Sequence, residues 1–202
     1  MLIHFLLIVT GYLAGSVSSA IIVCKLAGKT DPRLQGSKNP GATNVLRLHG
    51  KTAAALTLLG DITKGLLPVL LARLLEAPDP VIALTAMAAL AGHLFPVFFG
   101  FRGGKGVATF IGILAGIHWP LGISYILTWI LVALLFRYSS LASLTAALLT
   151  PVYAWRLLPD PAFQISILCM VILIFWRHRS NIYNLLHGKE DKIRLGKAKH
   201  QD

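Results

Sequence analysis

Apolar residues along this chain gather in long runs, interrupted by short clusters rich in proline, glycine, serine and asparagine. Seven runs stand out, at roughly 2–25, 52–75, 80–99, 106–117, 120–136, 141–156 and 161–176. They predict membrane-spanning helices, because a bilayer core of about 30 Å needs about 20 residues at about 1.5 Å of rise each. The turns between them are marked by Ala77 to Pro80, His118 to Pro120, Arg137 to Ser140 and Leu158 to Pro161. The fourth run is too short to cross. It is expected to sit inside the bundle, or to dip in together with residues 100–105.

Composition agrees with the pattern. The 202 residues are 55% hydrophobic and 13% charged, with a mean hydropathy of +0.70. A soluble domain carries about a quarter charged residues, so that class is excluded. The fold class expected is all-α: a polytopic integral membrane protein of about seven transmembrane helices. Residues 1–202 form a single membrane-embedded domain with a short basic tail from about residue 177.

The net charge of +11 is distributed unevenly. With the N-terminus outside, residues 26–51, 100–105, 137–140 and 177–202 face the cytoplasm. All of the 19 Lys and Arg except Arg73 and Arg156 then fall on or beside that face. This orients the chain, with a cytoplasmic C-terminus. Topology and anionic lipid headgroups account for the basic excess, so nucleic acid is not an expected partner. The first run has no Lys or Arg ahead of Lys25, the reverse of a secretory leader, and is read as an uncleaved helix. Cys24 and Cys169 lie in apolar runs without metal-ligand or redox spacing, and neither a metal nor a cofactor is expected.

Four polar constellations carry the candidate chemistry. In the stretch from Gly92 to Thr109 an apolar helix ends near Pro96. The turn of Gly103, Gly104, Lys105 and Gly106, preceded by Arg102, then opens a second helix. Glycines let backbone N–H groups converge, and a helix N-terminus adds unpaired N–H groups and a positive dipole end, so an anion such as phosphate fits here. Phe99 and Gly106 stand where a nucleotide P-loop needs glycine and Ser/Thr, so the site is not of that kind. A plain charged turn is the alternative reading.

The second constellation is the loop from Gly36 to Arg47, where Ser37, Thr43, Asn44 and Arg47 supply neutral donors and a guanidinium fork. The same residues would also suit a turn and helix cap. Asp61 and Lys64, three apart inside the second run, read equally as a neutralising pair or as site lining. At the last membrane exit, His178 and Asn181 share a helical face. Trp176, Arg177 and Arg179 read as an interfacial belt, and a surface helix continues toward Gly188. Ser143, near the start of the sixth run, is a further candidate or a helix-packing residue.

Three of these stretches together resemble the bacterial membrane glycerol-3-phosphate acyltransferases that use acyl phosphate. The matching motifs are Gly36 to Asn44 with Arg47, then Gly92 to Val97 with Gly103 to Thr109, then His178 with Asn181, Ile182, Gly188 and Glu190. Lys38 stands where that family usually has glycine. The resemblance implies seven helices with the N-terminus outside. It also implies acyl transfer from acyl phosphate to the C1 hydroxyl of glycerol-3-phosphate, the first step of bacterial phospholipid synthesis, giving lysophosphatidic acid and phosphate.

By the same resemblance, Ser37, Lys105 and His178 are catalytic. Ser37, Thr43, Asn44, Arg47, Gly103, Gly104, Lys105, Ser143, His178 and Asn181 bind substrate or phosphate. The expected partners are glycerol-3-phosphate, acyl phosphate, membrane lipid and, functionally, an acyl-phosphate-forming enzyme. The expected place is the bacterial cell membrane, the inner membrane in a Gram-negative cell, with the site at the cytoplasmic face. No histidine has an aspartate five positions on, and Gly-x-Ser-x-Gly is missing, so acyltransfer by a histidine–aspartate pair or a serine triad is not expected. A small phosphate or organic-anion transporter is the alternative.

Overall fold

Helix-forming apolar runs punctuated by Pro and Gly produce helices with tight turns, and the computed structural model describes residues 1–193 in that form, without strands among them. Residues 194–202 of the expected basic tail lie outside the described residues. The helices are α1 Leu2–Ser16, α2 Ser19–Leu26, α3 Ala42–His49, α4 Lys51–Leu74 and α5 Asp79–Leu94. A single 3-10 turn, Val97–Phe99, follows α5. Then come α6 Val107–Ile117, α7 Trp119–Phe136, α8 Ser139–Leu157, α9 Pro161–Arg177 and α10 Arg179–Leu186. Proline or aspartate opens several of them; the Asp160 carboxylate, for example, accepts from the Ala162 N–H at 2.6 Å at the start of α9.

Three stretches differ from the runs drawn on hydropathy. The run at 2–25 is broken into α1 and α2, which meet at 45°. Lys64 reaches from α4 into the break, where its Nζ donates to the Val17 carbonyl at 2.7 Å, and the Asp61 carboxylate lies 2.8 Å from the same nitrogen. Carbonyls left over at a helix end attract a cation, and two buried charges neutralise each other. The third run ends as α-helix at Leu94, ahead of Pro96. The loop after α2 holds α3, whose Val45 packs on Ala20, Cys24, Ala53 and Ala54.

Backbones approach closely where small residues meet, as helices in lipid require. A side chain at Gly15 would collide with the Ala89 carbonyl of α5, and one at Gly65 with the Thr109 carbonyl of α6. The core runs through α4, α5, α6 and α9, with Leu90, Phe110, Ile113, Met170 and Ile174 fully buried. Large apolar side chains cover the exterior, as on α7 with Leu127, Leu131, Leu134 and Leu135. Lys51–Leu74, Asp79–Phe99 and Trp119–Phe136 are each long and apolar enough to cross a membrane, and the two bent pairs raise the candidate spans to five. Seven were expected. α6 has 11 residues and sits inside the bundle as its length required, while Ser139, Ser140, Ser143, Thr145 and Thr150 lower the apolarity of α8.

Candidate active site

Ser37, Thr43, Asn44, Arg47, Lys105, Ser143, His178 and Asn181 all line one cavity of about 500 Å³. They come from four separate stretches, and local rules explain how each is presented. α3 carries Thr43, Asn44 and Arg47 on its first two turns. Asn44 is buried, and its amide organises the loop: Nδ2 donates to the carbonyls of Pro32 at 2.8 Å and Gln35 at 3.2 Å, while Oδ1 accepts from the Ser37 N–H at 3.0 Å. Lys38 takes φ of +55°, so the left-handed geometry that glycine favours is kept there by a lysine. Arg33, held by Asp31 at 2.8 Å, donates to the Phe99 carbonyl at 3.0 Å and ties this loop to the glycine turn.

The glycine turn presents Lys105 and the start of α6. Gly106, at φ of +89°, caps that helix, and Gly106, Val107 and Ala108 of its first turn, where N–H groups have no partners within the helix, line the cavity. Gly103 and Gly104, expected to bind phosphate directly, are not among the lining residues. They pack behind the cavity against the last turn of α5, where a side chain on Gly103 would strike the His93 and Leu94 carbonyls and one on Gly104 the His93 ring. Their contribution to the site is the close approach that only glycine allows.

Lys105 Nζ donates to Asn181 Oδ1 at 2.5 Å. Asn181 Nδ2 donates to Glu190 at 2.7 Å, and the Ser140 hydroxyl donates to the same carboxylate oxygen at 2.5 Å. Burial pushes the Lys105 ammonium below the ordinary lysine value; Glu190 acts against this, and Arg177 and Arg47 add to it. His178 lies at the 60° break past the end of α9, and its Nδ1 hydrogen-bonds the Ile174 carbonyl at 2.8 Å, which makes Nδ1 the protonated nitrogen and leaves Nε2 an acceptor. Burial lowers its pKa to about 4 although that bond favours the protonated ring. Arg47 pairs with Asp191 at 3.2 Å on the exposed side. The Ser143 hydroxyl accepts from Trp129 at 3.0 Å and donates to the Ser139 carbonyl at 2.8 Å.

Several lining residues were not picked from sequence as binding residues: Glu190, Ser139, Ser140, Trp129, His93 and Asp61. Glu190 belongs to the third motif and was legible as a candidate; Ser140 and Trp129 carry no local signal. Asp61 both pairs with Lys64 and lines the cavity, so the two readings of that pair hold together. Leu58, Ile62, Ile111, Ile126 and Ile130 add an apolar wall, with Leu58, Ile126 and Ile130 exposed on the outer surface. A lining that combines cations and neutral donors with aliphatic side chains suits an anion attached to a hydrocarbon chain. Among the described residues no group of His, Cys, Asp and Glu is arranged to hold a metal ion. A larger groove of about 1320 Å³ between α1, α2 and α4 is lined mostly by aliphatic side chains, far poorer in donors than the smaller cavity.

Comparison with known proteins gives a consistent result. A family model for glycerol-3-phosphate acyltransferase matches residues 5–188. The glycerol-3-phosphate acyltransferase of Methylococcus capsulatus is 54% identical over 191 residues, covering 95% of this chain and 96% of that protein. That of Thioalkalivibrio sulfidiphilus is 54% identical over 193 residues, covering 96% and 95%. A crystal structure of PlsY (YgiH), an integral membrane glycerol 3-phosphate acyltransferase, in its glycerol 3-phosphate form, superimposes with a TM-score of 0.91 at 36% identity over 95% of this chain and 96% of that one. The lysophosphatidic acid form of that protein gives a TM-score of 0.88 at 36% identity, over 94% of each chain.

Proposed function

The chain belongs to the glycerol-3-phosphate acyltransferase family and is a multi-pass integral membrane protein, and from that premise we propose that its acyl donor is acyl phosphate and its products are lysophosphatidic acid and phosphate. The observation that carries this reading is the one cavity in which cations and neutral donors from four separate stretches meet an apolar wall. Two anionic substrates converge on it, and acidic side chains are kept occupied: Asp61 by Lys64, and Glu190 by Asn181 and Ser140.

The oxygen of the glycerol C1 hydroxyl attacks the acyl carbonyl carbon. The bond from that carbon to the phosphate oxygen breaks, phosphate leaves, and the hydroxyl proton passes to a phosphate oxygen. Acyl phosphate is already activated, so positioning and charge stabilisation account for most of the rate. Ser37, Arg47, Lys105, His178 and Asn181 hold the phosphates and the developing charge, with Thr43, Asn44 and Ser143 on the walls. Lys105 and the α6 N-terminus supply positive charge where negative charge develops. A histidine whose pKa is about 4 is a weak base at neutral pH, so His178 serves as a hydrogen-bonding group and the substrate takes the proton.

The same reading covers residues 1–202 as one domain with about seven transmembrane spans and the N-terminus outside, in the bacterial cell membrane, the inner membrane in a Gram-negative cell. The active site faces the cytoplasm and receives acyl phosphate from the enzyme that forms it. Purified protein in lipid, given labelled glycerol-3-phosphate and acyl phosphate, is expected to form lysophosphatidic acid in an acyl-dependent way. Uptake of label into sealed vesicles without product would instead identify a transporter.

A further inference from the structure

Arg177 and Arg179 sit two residues apart at the same membrane exit, yet they do different things. Arg179 is exposed, donates to the Trp176 carbonyl at 3.2 Å and lies 4.9 Å from that indole ring, which is what an interfacial belt requires. The half-buried Arg177 turns inward. Its Nε donates to the Gly104 carbonyl at 3.0 Å and its Nη2 to the Gly103 carbonyl at 2.6 Å. The Phe95 ring, 5.9 Å from the guanidinium carbon, braces the fork.

The consequence lies in the peptide planes. The Gly104 N–H donates to the His93 carbonyl at 3.2 Å, so the peptide between Gly103 and Gly104 is held at both ends, by α5 and by Arg177. The next peptide has its carbonyl on Arg177, and because that peptide is trans its N–H, that of Lys105, points the opposite way. A glycine pair without such anchors samples both signs of φ, and a carbonyl would turn into the anion site as readily as an N–H. We propose that Arg177 is a positioning residue: it gathers the carbonyl oxygens of Gly103 and Gly104 on one side of the turn, so that the cavity side offers Lys105 and N–H groups to the substrate phosphate. A lysine would have to share one nitrogen between the two carbonyls on a flexible stem, whereas the planar fork sets a separate N–H on each in fixed geometry.

This inference rests on the phosphate-binding role given above to the turn, and the test separates the two. Arg177→Gln, Arg177→Lys and the charge-matched control Arg179→Gln are prepared in lipid. Hydrogen–deuterium exchange of the peptide covering 101–106 is measured without substrate, and kcat and KM for glycerol-3-phosphate are measured separately. The expected result for Arg177→Gln is about tenfold or faster exchange confined to that peptide, with KM raised about tenfold or more and kcat changed less. Arg177→Lys is expected to be intermediate on both, and Arg179→Gln to match wild type. Wild-type exchange in Arg177→Gln, or a rise spread evenly over α5, α6 and α9, would overturn the proposal. Should Arg177→Gln fail to fold, Arg177→Lys decides, because wild-type exchange and KM there would overturn the two-pronged clamp. Faster exchange with unchanged KM would keep the clamp but overturn its link to phosphate. A wild-type protein that forms no lysophosphatidic acid would refute the proposed reaction while the exchange result still judged the clamp.

Discussion

The Lys105 ammonium donates to the Asn181 side-chain oxygen at 2.5 Å, joining the glycine turn to the helix that follows the last span. Asn181 in turn rests on Glu190 at 2.7 Å, so cation, amide and carboxylate form one chain of hydrogen bonds at the cavity wall. The amide is thereby fixed with its oxygen toward the cation.

Lys105→Ala is expected to lower kcat/KM for glycerol-3-phosphate by one to two orders of magnitude while the protein still inserts. Loss of one charge-assisted contact costs about 1.5–3 kcal/mol, and more if it strengthens in the transition state. Ser37→Ala, at a cavity-lining hydroxyl, is expected to act in the same direction. The control is Arg156→Ala, an exposed arginine lying 4.9 Å from the Trp155 ring. Arg73 is unsuitable as a control because it donates to the Ile117 carbonyl. Equal activity of Lys105→Ala and Arg156→Ala would reduce the glycine turn to a charged loop.

The alkaline side of the pH profile follows from the lowered pKa of Lys105. The cation that attracts phosphate is complete below that pKa and is lost as pH rises through it, at a pH below the ordinary lysine value of 10.5. KM for glycerol-3-phosphate is therefore expected to climb on the alkaline side. In Lys105→Arg the climb moves to higher pH, because guanidinium keeps its proton above about pH 12. Identical alkaline limbs in both proteins would remove Lys105 from the binding site.

His178 predicts an acid-side loss of stability. Its pKa is about 4 in the folded protein against 6.5 for an unperturbed histidine, so the unfolded chain takes up the proton first as pH falls. Stability from the neutral ring is fully present above about pH 6.5 and declines toward pH 4. Thermal midpoints measured between those values should fall more steeply in wild type than in His178→Gln. Parallel slopes would contradict the burial of this ring.

Asp61→Asn is expected to destabilise more than it slows. Removing one partner of a buried pair costs about 3–5 kcal/mol, here by leaving the buried Lys64 ammonium without a counter-charge, with the Val17 carbonyl still accepting from it. Removing both charges with Asp61→Asn and Lys64→Met together is expected to cost less than the sum of the single changes. Asp61→Asn and Glu190→Gln should both keep measurable turnover. A loss of four or more orders of magnitude in either well-folded variant, restored by added formate, would reveal a carboxylate base.

Orientation is checked by cysteine labelling after the native Cys24 and Cys169 are replaced. A label at Lys51 is expected to react from the cytoplasm and one at Asp79 from outside, both being exposed helix-end residues. Cytoplasmic reactivity at Asp79 would break the seven-span arrangement.

The apolar runs determined the helices, since a helix in lipid must satisfy its backbone internally whatever its neighbours are. Ser37, Arg47, Lys105, His178 and Asn181 stood out because three motifs in order resemble one family; taken alone, the loop from Gly36 to Arg47 reads equally as a turn and helix cap. Tertiary structure alone decided which of these groups meet. At the break between α1 and α2, Lys64 reaches Val17 across 47 positions of sequence. Ser140 is brought to Glu190 across 50 positions, and Arg177 to Gly103 across 74. Such contacts leave no mark in a hydropathy profile. The same reason separates Arg177 from Arg179: both satisfy the rule for a basic membrane edge, and only the packing of α5, the glycine turn and α9 directs the first inward while the second stays in the belt.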